Sequence, residues 1–292
     1  IRRQRQMCIR DSYWGTGAAE GIPSAFCNCK VCQEAREKGG RYVRGRSQVM
    51  IDDELLVDFG ADTYQNSLKA GYNLSQLGDV LITHTHEDHY YPQELHNRQK
   101  GFCYDLKHPA LTLHGSSSIV EKYYDYMAGN GQYLIDQGRV ALSVMKPYEK
   151  YKIGNFEVIP LPATHGTVSP FVYVISKNGK TIFYLNDSGV LKQPVVDWLA
   201  KSGIKFDLVS YDCTMGMLDT YNDWGENASH MGLPSVIMMR EKFKAAGVYK
   251  DDTVDIVTHF SHNGPKVGYG DFKPLAEDAG FILAYDGFKI EV

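Results

Sequence analysis

The chain has 292 residues and a formal net charge of −4, with 43% hydrophobic and 23% charged residues. A chain of this length buries roughly three quarters of its unfolded surface. No disulfide or metal is needed to make good a thin core, so any metal site serves chemistry or pins a local segment. The charge balance excludes the basic face of a nucleic-acid binder, and no apolar run approaches the roughly 20 residues that cross a bilayer. The expected partner is a small-molecule anionic substrate held locally, with no nucleic acid and no membrane.

The opening residues, IRRQRQMCIRDS, are basic, lack the apolar stretch of a secretory signal and show neither strand nor helix periodicity. They read as a non-native or disordered tail over residues 1–12, leaving a single domain over 13–292. Cys27, Cys29 and Cys32 follow within six residues. Neighbours this close pair poorly as disulfides, which need a set Cβ separation. The cluster therefore reads as metal-binding in a reducing, cytoplasmic compartment.

Next in order, SQVMI and ELLVDFG read as short strands about an Asp52-Asp53 turn. TYQNSLKAGYNLSQL is a helix ended near Gly71, and DVLITH is an apolar strand of the kind covered on both faces. Residues 90–135, irregular and rich in Tyr, Gly and Gln, read as an insertion near a site mouth, although ALTLHG within them is strand-like and SSSIVEKYYDYM helical. FEVIPLPATHG and FVYVISKNGKTIFYLNDSG supply three strands, two of them joined at Asn178-Gly179. FDLVSYDCT is a strand, LPSVIMMREKFKAAG a helix closed by Gly247, and DTVDIVTHFSH a strand running into a loop. Hairpins first and strand–helix alternation later indicate packed sheets with helices outside, undivided by a linker.

His84, His86, Asp88 and His89 stand directly after the DVLITH strand. Neutral imidazole and carboxylate are ligands of zinc and its first-row neighbours. In an extended segment residues two apart face the same way, so His84 and His86 converge on one ion. After the turn Asp88 and His89 face a second.

This H-x-H-x-D-H pattern continues with Asp58 in LLVDFGAD, His165 in LPATHGT, Asp187 in YLNDSG and His259 in VTHFSH. The set resembles the metallo-β-lactamase-fold hydrolases, essentially over residues 13 to 292. The resemblance implies an α/β fold, a four-layer αββα sandwich of two mixed β-sheets flanked by helices. It implies two divalent metal ions, zinc or manganese. His84, His86 and His165 would bind one; Asp88, His89 and His259 the other; Asp187 would bridge them and Asp58 orient the ligand loop.

GTGAAEGIPSAFCNCKVCQEARE is similar to the N-terminus of PhnP-type cyclic phosphodiesterases and their PqqB-like relatives. There a C-x-C-x-x-C cluster and a histidine three residues past the last active-site histidine hold a structural zinc. Here those positions are Cys27, Cys29, Cys32 and His262. His230, ahead of a helix, matches a histidine that serves in that branch as general acid or phosphate contact. The chain departs from its relatives at HYYPQEL. Tyr90, Tyr91 and Arg98 there are candidates for lining the substrate pocket, Arg98 as an anion clamp. The remaining cysteines and histidines read as structural.

The function implied is that of a metal-dependent phosphodiesterase acting on a small phosphodiester, cyclic ones included. Metal ions there would acidify water for attack on phosphorus, and His230 would protonate the leaving alkoxide. The alternatives are a lactonase or other ester hydrolase, a mononuclear-iron sulfur dioxygenase, and a weakly catalytic PqqB-like accessory protein. A homodimer is compatible with the resemblance.

Overall fold

The computed structural model describes residues 8–292. In chain order the strands are β1 (Arg10–Gly15), β2 (Gln48–Ile51), β3 (Leu55–Val57), β4 (Asp79–Leu81), β5 (Leu111–Gly115), β6 (Val140–Val144), β7 (Tyr151–Ile153), β8 (Phe156–Pro162), β9 (Phe171–Lys177), β10 (Lys180–Leu185), β11 (Phe206–Asp212), β12 (Tyr249–Thr258), β13 (Ile282–Leu283) and β14 (Lys289–Glu291). The helices are α1 (Lys30–Lys38), α2 (Thr63–Ala70), α3 (Ser117–Met127), α4 (Asn130–Asp136), α5 (Gln193–Ser202), α6 (Thr220–Trp224), α7 (Leu233–Ala245) and α8 (Tyr269–Asp278). The strands form two mixed sheets, in the orders β14-β1-β2-β3-β4-β5-β6 and β13-β12-β11-β10-β9-β8-β7.

Each sheet begins antiparallel and ends parallel. β1, β2 and β3 pair antiparallel, β2 and β3 as a hairpin, and β3 to β6 run parallel. β7 to β10 are antiparallel and β10 to β13 parallel. The hairpins need only tight turns with left-handed residues, met by Asp52 and Asp53 (φ 52° and 56°) and by Asn178 and Gly179 (φ 55° and 80°). Parallel neighbours need a crossover, supplied by α2, by α3 with α4, and by α5, α7 and α8.

Strand alternation sorts side chains into three apolar layers. In β10, Ile182 and Tyr184 face the layer between the sheets, with Val57, Leu81 and Tyr173. Phe183 and Leu185 face outward onto Leu199 of α5 and Val236, Met239 and Phe243 of α7. On the other side, Leu56, Val80 and Leu113 pack against Ile119 and Tyr123 of α3 and Leu134 of α4. This is the four-layer sandwich that the resemblance implied.

Two sequence expectations need correction. Residues 90–135 are not an insertion: β5 lies inside the first sheet between β4 and β6, and α3 and α4 form part of its outer helical layer. The boundary at Tyr13 falls inside a strand. Asp11 and Ser12 of the supposed tail pair with Ile51 and Met50 on one side and with Ile290 and Lys289 on the other; residues 1–7 lie outside the described residues.

Asp11 explains why the strand was not legible. It lies between Ile9 and Tyr13, both of which face the inter-sheet layer, and both its carboxylate oxygens are buried without a hydrogen bond. Burial, with Asp52 adding, pushes its carboxyl from 3.8 up to about 8. Between those values the native state holds a proton that the unfolded state has lost, so stability falls as pH rises through this window. At pH 7 the penalty is on the order of 4 kcal/mol. Asp11→Val is therefore expected to raise the melting temperature markedly at pH 8 and much less at pH 4.5. Thermal melts across that range check this, and an equal gain at both ends would contradict it.

Candidate metal centre

Three ligand-type residues leave their strands in the left-handed region: Asp58 just after β3 (φ 68°), Asp187 two residues past β10 (φ 53°) and His259 just after β12 (φ 64°). Non-glycine residues are uncommon there, and such strain gathers at functional sites. The first sheet delivers the 84–89 loop from β4. Its backbone is tied to the exit of β3, where Phe59 N donates to His89 O (2.8 Å) and Tyr91 N to Phe59 O (2.7 Å). Gly60 permits this close approach, since a Cβ there would lie 1.9 Å from Asp88 O.

Two ligand sets result. In one, His84 Nε2 lies 2.9 Å from His86 Nδ1, which is 3.2 Å from His165 Nε2; His84 Nε2 is also 3.1 Å from Asp187 Oδ2. In the other, His89 Nε2 lies 3.0 Å from Asp88 Oδ2, 3.1 Å from Asp187 Oδ2 and 3.3 Å from His259 Nε2. Within each set the ligand atoms lie within 4.8 Å of one another, and Asp187 belongs to both. Two nitrogens bound to one tetrahedral zinc at about 2.05 Å stand about 3.3 Å apart, so both sets fit such an ion. Asp187 Oδ1 is buried without a well-aligned hydrogen bond and has only the ring nitrogens His230 Nδ1 (3.1 Å) and His165 Nδ1 (3.4 Å) beside it, surroundings that suit a nearby cation.

The outer partners orient these rings. Asp58 Oδ1 accepts from the backbone N–H and hydroxyl of Thr83 (2.8 Å each), and its Oδ2 accepts from His89 Nδ1 (2.6 Å). His84 Nδ1 donates to Thr83 Oγ1 (3.0 Å) and His259 Nδ1 to Thr214 Oγ1 (2.8 Å). Each of these bonds fixes a tautomer that turns a lone pair on Nε2 toward the centre. Burial, then His89, pushes His84 down to about 4, and burial likewise lowers His259; neutral rings are what metal binding requires. His89 is raised instead: burial opposes its charge, but Asp88 and Asp58 outweigh burial.

His230 joins this centre. Its Nδ1 lies 3.0 Å from Asp212 Oδ2 and 3.1 Å from Asp187 Oδ1. Burial opposes its charge, but Asp212 and then Asp187 raise it to about 9. Asp212, fully buried at the end of β11, was missed in the sequence. It also accepts from the backbone N–H groups of Thr214 (3.0 Å) and Met231 (3.1 Å). Its only sequence signal was an acidic residue closing an apolar strand.

The pocket candidates divide. Tyr91 lines a cleft beside His86 and Asp88. Tyr90 is fully buried and its hydroxyl donates to Ile119 O (3.2 Å), so it is core and not pocket wall. Arg98 is no anion clamp either. Its guanidinium donates to the carbonyls of Arg139, His108 and Pro109, tying the 92–109 segment to the start of β6.

Cys27, Cys29, Cys32 and His262 form a separate cluster. Cys27 Sγ and Cys29 Sγ lie 3.5 and 3.6 Å from His262 Nδ1. Bonds of about 2.3 Å to sulfur and 2.05 Å to nitrogen at the tetrahedral angle put such atoms about 3.6 Å apart, so these residues fit a closed zinc site.

A four-layer sandwich with paired ligand sets at its strand ends defines the metallohydrolases of the metallo-β-lactamase fold. A model of the β-lactamase superfamily domain matches residues 54–254, and the chain belongs to that family. Similar solved structures include a new diphosphatase from the PhnP family, 21% identical over 98% of each chain with a TM-score of 0.69. Zinc-bound PqqB from Methylobacterium extorquens is 17% identical over 97% of this chain and 100% of that one, with a TM-score of 0.74. Human tRNase Z, short form, is 20% identical over 96% and 98%, with a TM-score of 0.60. At these identities the likeness concerns the fold. No curated protein sequence matches the chain.

Gly60→Ala is expected to displace Asp88 and lower active-site metal content by at least half while the protein stays folded; elemental analysis beside circular dichroism reads this. Cys29→Ser is expected to remove one zinc per chain and lower the melting temperature, while the ions at the histidine sets are retained. Unchanged zinc stoichiometry would count against the cysteine site.

Proposed function

We propose that this chain is a metal-dependent phosphodiesterase acting on small anionic phosphodiesters, cyclic ones included. Two divalent ions, zinc or manganese, would be held by His84, His86 and His165 and by Asp88, His89 and His259, with Asp187 between them. A structural zinc would be held by Cys27, Cys29, Cys32 and His262. When bound, the pair of ions acidifies water and offsets phosphoryl charge. That also answers how a net-acidic chain holds an anion.

The observation that carries the phosphoryl reading is the His230–Asp212 pair at the edge of the ligand sets. Asp212 and Asp187 engage Nδ1, which leaves Nε2 as the ring's remaining donor. The side chain is 27% exposed, so this nitrogen is within reach of a bound substrate. Asp212 fixes the ring and balances its charge, as a general acid for a departing alkoxide requires. The names of two structural neighbours, a diphosphatase and a tRNase Z, support phosphoryl chemistry. Among the described residues no helix is long and apolar enough to cross a membrane, and the unpaired thiols of the cysteine cluster suit a reducing compartment such as the cytoplasm.

The test is turnover of metal-loaded protein on phosphodiesters against a lactone panel, with His230→Ala alongside. The variant is expected to lose about a hundredfold or more in kcat on diesters with alkoxide leaving groups. It should lose far less on a p-nitrophenyl diester, whose leaving group needs no proton, and should keep its metal. Hydrolysis of lactones alone would overturn the reading. Equal losses on both diesters, or loss of metal, would remove His230 from the acid role.

A further inference from the structure

His230 stands at the end of residues 225–230, the loop between α6 and α7. Glu226 and Asn227 at its tip are exposed, while Ala228, Ser229 and His230 are half-buried. The base of the loop is fixed by close packing. A Cβ on Gly189 would lie 1.7 Å from Ala228 O, so the two backbones touch. Beside that contact His165 Nδ1 donates to Ser229 O (3.2 Å), and Met231 N donates to Asp212 Oδ1 (3.1 Å).

The tip is held by a single side chain of another kind. Lys192 Nζ donates to Glu226 O and to Asn227 Oδ1 (2.6 Å each) and lies 3.7 Å from the Glu226 carboxylate. An ammonium has three donors, and here they face a carbonyl, an amide oxygen and a carboxylate. Lys192 is itself anchored as the N-cap of α5. Residues 188–191, between it and Asp187, are buried. Thr164 ties them down, its N–H donating to Ser188 Oγ and its hydroxyl to Val190 O (2.9 Å each). One rigid segment therefore carries Asp187 at one end and grips the His230 loop at the other.

Asp212 and Asp187 engage His230 Nδ1, but the loop backbone decides where Nε2 points. An exposed tip left to itself samples many conformations, and a misplacement of about 1 Å in a reacting group can cost on the order of a hundredfold in rate. We propose that Lys192 is a positioning residue for the reaction: it pins the tip of the 225–230 loop so that His230 meets the departing oxygen. This rests on the reading of His230 as general acid and adds a residue that acts through it. Ser229, beside the Gly189 contact, keeps its bond to His165 without the lysine, so the effect falls on proton transfer and not on the metal ligands.

The experiment compares Lys192→Met and Lys192→Arg with the unaltered protein, all metal-loaded, on diesters with alkoxide and with p-nitrophenolate leaving groups. Lys192→Met is expected to lose about tenfold in kcat on the first and about twofold or less on the second, with KM and metal content unchanged. Lys192→Arg, which still offers several donors, is expected to restore most of the loss. Hydrogen exchange read by mass spectrometry is expected to quicken in residues 225–230 of Lys192→Met and not of Lys192→Arg. Equal losses on the two diesters, no loss on either, or loss of metal would overturn the positioning role. Turnover of neither diester by the unaltered protein would tell against the phosphodiesterase reading instead. Exchange then decides the tether: quickening in Lys192→Met supports it, and unchanged exchange overturns it.

Discussion

One buried carboxylate organises this molecule. Asp187 sits two residues past β10 in a left-handed conformation, with His84, His89 and His259 about it. Burial alone would neutralise it, but the surrounding imidazoles, His259 and His84 foremost, hold its pKa well below the usual carboxylate range. The imidazoles in turn aim nitrogens at one another at distances suited to a shared cation. Neither half is satisfied without positive charge, which explains why ligands from both sheets converge on this residue.

The fold makes that convergence inexpensive. In open α/β sheets ligands gather beyond the carboxyl ends of parallel strands, and here two such sheets face each other. Asp58 and His84 come from the first; Asp187, Asp212 and His259 come from the second. Hydrogen bonds from the rings to Thr83, Thr214 and the two outer aspartates set their orientation before any ion arrives. The strap past His259 is held as well. Ala18 N donates to Phe260 O (2.9 Å), and three residues past His259 stands His262, within reach of the cysteine cluster. A zinc there would lock the N-terminal loop to the same segment that presents His259, so a site without catalytic ligands would bear on one with them.

The residues that the structure gathers at the strand ends were legible in the sequence because their information is local: residue type, spacing and an apolar strand immediately before. His84 through His89 state their chemistry in six residues, and His165, Asp187 and His259 each close a recognisable strand. What escaped depended on three dimensions. Asp212 looks like any acidic residue after β11 until His230 is placed against it. Tyr90 and Tyr91 are neighbours with opposite fates, because the chain turns as it leaves the ligand loop and drives one ring into the core. Arg98 reads as an anion-binding side chain, yet it satisfies backbone carbonyls of a loop without regular pairing. β1 was hidden for a different reason, since Arg10 and Asp11 interrupt the apolar pattern that announces a strand.

The most direct test of the central claim is anomalous diffraction from crystals of the metal-loaded protein, recorded at the absorption edge of the bound ion. The account predicts two peaks flanking the Asp187 carboxylate, one among His84, His86 and His165 and the other among Asp88, His89 and His259. A map with no peak beside Asp187, or with ions bound only away from these imidazoles, would contradict it.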